Sequence, residues 1–177
     1  MNNPEAKEYL KHAAKLRIGT LRIGKTQGWE LMAIANYYRL AGESQIAQNY
    51  FERAYEMLKR DVGDLHDPTQ LEFTRMHLLI LVCFALKRYE ETAQYGAILR
   101  EHEPDFRPSL LAPNVALLAE AKLTNNVAQA QRAIDTIASS IRASKIKIQT
   151  SGDITIWDAY ELGLEVLAEI EANNYSS

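Results

Sequence analysis

Residues 28–61 read GWELMAIANYYRLAGESQIAQNYFERAYEMLKRD, and their apolar spacing decides the fold. Leu31, Ile34, Ala35 and Tyr38 recur at intervals of three and four, which places them on one face of a helix. After Gly42 and Glu43 the same interval returns in Ala47, Phe51 and Ala54. Two amphipathic helices joined by a glycine turn follow, near 28–41 and from Ser44 to about Arg60. Counted from Gly28, the apolar positions are 4, 7, 8, 11, 20, 24 and 27, with small residues at 8 and 20 where two backbones approach.

That register resembles the tetratricopeptide repeat (TPR), a helical hairpin of about 34 residues. A second unit is phased by Lys87-Arg88-Tyr89-Glu90-Glu91, which resembles the family's turn and second-helix start. Setting Tyr89 to position 17 puts Phe73 at 1, Tyr95 at 23, Leu99 at 27 and Pro104 at 32, where the family usually carries proline. In a looser third unit Leu117, Leu118, Ala121, Ala130 and Ile134 take the apolar positions, with Asn125 and Asn126 at the turn. The unit starts, 28, 73 and 111, lie 45 and 38 residues apart, so the extra residues of the linkers predict irregular stacking.

The resemblance implies an all-α chain of about eight helices, its antiparallel hairpins stacked as a short right-handed superhelix. It divides the chain into a basic N-terminal helix and connector (1–27), three hairpins (28–61, 73–106 and 111–146) and a final helix with a short tail (147–177). The N-terminal helix is predicted from Pro4 to Arg17, with Gly19 and Gly24 bracketing the connector. Asp67, Pro68 and Gln70 carry the capping and first-turn chemistry of the helix that opens unit two.

The family holds ligands on the inner face of each first helix, near positions 2, 5, 9, 12 and 13. Here those positions carry Trp29, Met32, Asn36, Arg39 and Leu40, then Thr74, His77, Leu81, Phe84 and Ala85. Trp29, Met32, Asn36, Arg39, His77 and Leu81 are therefore the candidate groove for a polypeptide or a second subunit, since Trp, Met and Arg are enriched at interface cores. The same spacing also suits packing of Trp29 and Met32 on the N-terminal helix, and the pattern leaves both readings open. Of the clamp that chaperone-binding members use for a terminal carboxylate, only Asn36 matches.

Leu78 to Leu86 is apolar all round, so its helix needs cover on every side. The final helix offers Trp157, Tyr160, Leu164, Val166, Leu167 and Ile170, with an acidic stripe of Asp158, Glu161, Glu165 and Glu169. If it folds into the groove, the chain is a structural subunit with a self-occluded groove; if it caps the array, the groove is open or filled by a second subunit.

The 177 residues are 47% apolar and 24% charged, the composition of an ordinary globular protein. The net charge of −3 hides six bases and two acids in residues 1–28, giving +4 there and −7 in the remainder. Lys7, Lys11 and Lys15 share one face of the first helix, which the acidic stripe at the other end of the chain could answer. The basic patch is short and free of interleaved aromatics, which argues against nucleic acid. No run approaches the roughly 20 apolar residues of a membrane span, and no secretory leader is visible, so a cytoplasmic location is expected.

Gly19-Thr20-Leu21-Arg22-Ile23-Gly24-Lys25-Thr26 fits the G-x-x-x-x-G-K-[ST] phosphate-loop pattern and gives the alternative reading, a nucleotide-binding protein. Such a loop follows a buried strand, whereas the residues before Gly19 read as a charged helix. His12, His66, His77 and His102 have no metal-ligand spacing, and Cys83 sits in an apolar helix without a base. No catalytic residue, metal or cofactor is assigned, and the expectation is a non-enzymatic interaction module.

Overall fold

The protein is described by a computed structural model covering residues 3–21, 27–62, 70–102, 111–143 and 156–175. Eight α-helices and no strand occur among the described residues: α1 Pro4–Thr20, α2 Gly28–Leu40, α3 Ser44–Val62, α4 Gln70–Ala85, α5 Tyr89–His102, α6 Leu111–Leu123, α7 Val127–Ala143 and α8 Ile156–Tyr175. The chain is all-α. No helix among the described residues is long and apolar enough to cross a membrane.

α1 opens on Asn3, whose side chain accepts the Glu5 N–H at 3.0 Å, and on Pro4, which has no N–H to leave unpaired. It runs three residues beyond the predicted end and passes through Gly19, which therefore belongs to the helix and not to a connector. The stop comes at Thr20, whose hydroxyl donates to the Arg17 carbonyl at 2.7 Å. The capping residues Asp67 and Pro68, and Arg22 to Thr26 of the phosphate-loop pattern, lie outside the described residues.

Three hairpins, α2–α3, α4–α5 and α6–α7, are closed by three-residue turns with one shared construction. Gly42, Lys87 and Asn125 each adopt a positive φ, 84°, 58° and 51°. In each turn the next N–H reaches back five residues: Glu43 to the Tyr38 carbonyl, Arg88 to Cys83 and Asn126 to Ala121, each at 2.9 Å. This Schellman arrangement satisfies the last carbonyls of one helix while reversing the chain. The following helix then starts from the same residue, with Ala47 bonded to Glu43, Thr92 to Arg88 and Ala130 to Asn126. The three turns are spaced 45 and 38 residues apart, the intervals between the unit starts read from the sequence.

Equivalent positions are buried alike. Ala35, Ile80 and Leu118 fill one set, Ala47, Thr92 and Ala130 a second, and Ala54, Leu99 and Ile137 a third. Neighbouring hairpins meet as α3 on α4 and α5 on α6, with α4 also packing on α6. Gly96 on α5 is where α5 and α6 come closest: an added Cβ would lie 2.2 Å from the Ala116 Cβ. Among the described residues α2 and α4 make no comparable contact, so the first two hairpins join through α3 and a gap remains beside α2. Cys83 lies fully inside this core, and burial pushes its thiol up to about 12, far from the thiolate that reactivity needs.

Candidate protein-interaction site

The last helix decides what the face formed by α2, α4 and α6 presents. α8 packs on α7 and α6 through Ala159, Gly163, Val166 and Ile170, which are buried. Gly163 permits the approach, since an added Cβ would stand 3.1 Å from Leu118 and 3.3 Å from Ile134. Among the described side chains, the buried edge thus shares Val166 and Ile170 with the apolar face read from the sequence; the Trp157 side chain lies outside them. Tyr160 and Leu167 are half-buried, and Leu164 is 42% exposed.

From that seat α8 carries its acids across to the other helices. Asp158 is only 4% exposed, and its carboxylate accepts from Asn36 Nδ2 at 3.1 Å and from the Arg39 guanidinium, both on α2. Arg39 Nε in turn donates to Asn36 Oδ1 at 3.1 Å, which closes a ring of three side chains. Within it Asn36 both gives and accepts, and the carboxylate uses both oxygens. A buried carboxylate is tolerated only with such pairing, because desolvating it alone is costly.

Three turns later Glu169 accepts from Lys122 at 2.8 Å and from Lys87 at 3.3 Å, joining α8 to the end of α6 and the α4–α5 turn. The Lys122 bond, helped by Lys87 and opposed by burial, holds the Glu169 carboxyl below its usual range. Tyr89, packed edge to face on Phe84, is pushed up to about 12 by burial and by the nearby Glu169 and Glu165. Both effects belong to charges held at a partly dry seam.

α8 does not fill the gap beside α2. A cleft of about 460 Å³ remains, lined by Arg39, Gln48 and Phe51, by Leu86 and Lys87, and by Leu162 and Glu165 of α8. Its lining combines apolar side chains with two cations, Arg39 and Lys87, and one acid, Glu165.

The six groove residues read from the sequence are placed differently from one another. Asn36 and Arg39 meet at Asp158. Met32 and Leu81 are buried in the core, and His77 is half-buried on α4. Trp29 is 36% exposed at the α1 side, where the Arg17 guanidinium sits 5.3 Å from its ring centroid and its indole N–H donates to Gln27 at 2.8 Å. On the basic face of α1, Lys11 reaches Glu43 at 2.6 Å and Glu8 at 3.1 Å. Lys87 and Lys122 had no signal of their own, since a lysine near a helix end is normally a solvated surface residue.

Before Gly19 the chain is helical through the whole of α1, not the strand a phosphate loop requires. Among the described residues no three of His, Cys, Asp or Glu are grouped to hold a metal ion. Compared with known proteins, the chain matches no family, no curated protein and no solved structure.

Proposed function

We propose that this chain is a non-enzymatic, cytoplasmic protein-interaction scaffold of the TPR type. Its binding surface is the face of α2, α4 and α6, toward which its own α8, packed on α6 and α7, turns Asp158 and Glu169. The ring of Asn36, Arg39 and Asp158 carries the reading: two side chains at the groove positions of the first repeat hold a carboxylate presented by another helix. A surface that recognises one helix through paired cations can exchange it for another, with specificity set by where the charges stand.

Release of α8 is the test. Asp158→Arg sets two cations against each other, and Arg39→Asp with Asp158→Arg restores an opposite pair. Affinity capture with wild type, the single variant and the swapped pair is expected to retain partners on the single variant alone. Identical partner sets on all three would contradict the reading.

A further inference from the structure

On the reading of this face as the interaction surface, we propose that its partner is an acidic amphipathic helix carrying a bulky aromatic side chain at the place of Leu162. Charge sets the first half of that identity. Arg39, Lys87 and Lys122 come from three elements and all turn toward α8, where Asp158 and Glu169 answer them. Eleven residues of helix separate those two acids, about 16 Å of rise, so a partner needs carboxylates three turns apart on one face. A basic or uncharged helix would leave the half-buried Arg39 without its counter-ion.

The cleft sets the second half. A tethered helix competes at an effective concentration in the millimolar range, so a partner displaces it only by binding more tightly. α8 leaves room for that gain. Leu162 lines the cleft without filling it, together with Phe51 and Leu86, the cations Arg39 and Lys87, and Glu165 of α8 itself. An indole there covers apolar wall that Leu162 leaves open and sets a ring beside two cations, contacts worth about tenfold in affinity.

Four labelled peptides of residues 156–175 test this by fluorescence anisotropy against the full chain carrying Asp158→Lys: native, Leu162→Trp, a charge reversal of Asp158→Lys with Glu169→Lys, and a scramble of the native composition. The native peptide is expected to bind and the Leu162→Trp peptide to bind about tenfold more tightly. The reversed and scrambled peptides are expected to lose binding. Failure of every peptide would overturn both the interaction-surface reading and this partner. Native binding with no gain from tryptophan, or equal binding of the scramble or the reversal, would overturn the partner and leave the surface standing.

A second measurement guards against a poorly folded host. Leu162→Trp in the otherwise wild-type chain is expected to raise Tm by a few degrees, and a lowered Tm would contradict the room assigned to the cleft.

Discussion

Replacing Asp158 with alanine removes the acceptor that Arg39 and Asn36 share. Breaking a buried ion pair from one side costs about 3–5 kcal/mol when the remaining charge stays dry. The Arg39 side chain is 23% exposed, so water recovers part of that loss and about 2 kcal/mol remains. Asn36, 2% exposed, loses the acceptor of its amide and adds about 1 kcal/mol. The sum, about 3 kcal/mol, lowers Tm by about 6–12 °C in a chain of this length. A double-mutant cycle with Arg39→Ala, read by urea denaturation, is expected to return a coupling of about 1.5–3 kcal/mol, because the second truncation removes the charge that the first left stranded. Asp158→Asn is expected to fall between wild type and Asp158→Ala, keeping a carbonyl acceptor for Arg39 but turning an amide NH2 toward the donating amide of Asn36. Additivity within about 0.5 kcal/mol would refute the ring as the fastening of α8.

Gly96→Ala is expected to destabilise by about 1–3 kcal/mol in the same assay, since the new methyl meets the Ala116 Cβ and α5 must move off α6; this outweighs the gain of about 1 kcal/mol in helix propensity. Gly19→Ala, with nothing within 4 Å of its new methyl, is expected to stabilise α1 by about 0.5–1 kcal/mol. Glu169 has a folded pKa below the ordinary 4.5, so its contribution is present above pH 4.5 and is lost as the pH falls through the folded value. At 42% exposure that contribution is under about 1 kcal/mol, and Glu169→Gln is expected to narrow the Tm difference between pH 7 and pH 4. Mg-ATP and Mg-GTP are expected to leave Tm unchanged, and a shift abolished by Lys25→Ala would restore the nucleotide-binding reading.

Much of the helical framework was legible because it is local. The interval of Leu31, Ile34, Ala35 and Tyr38 and the turn at Gly42 need only neighbouring residues, and Asn125 is a residue that tolerates a positive φ. Lys87 carries no such conformational signal, although its φ of 58° repeats the conformation of Gly42; the run from Lys87 to Glu91, which resembles the family's turn and second-helix start, marks the turn instead. The helical run through Gly19 was missed because a glycine reads as punctuation, while an exposed helix end tolerates it at modest cost.

Two of the three side chains of the ring at Asp158 are legible in the sequence. Asn36 and Arg39 stood out at groove positions, but Asp158 read as one more acid on a solvated stripe. Its burial depends on α2, more than a hundred residues away in the chain, and no spacing within α8 records that approach. The same holds for Glu169, whose lysines come from two other elements.

Hydrogen exchange of α8 under native conditions tests most directly whether this helix is seated on α6 and α7 and fastened to α2 through Asp158. In wild type the amides of residues 162–170 are expected to be protected about as strongly as those of α6, to lose protection in Asp158→Arg, and to regain it when Arg39→Asp is added. Exchange of α8 as fast as that of a frayed terminus in wild type, or protection unaffected by Asp158→Arg, would contradict the seat described for it.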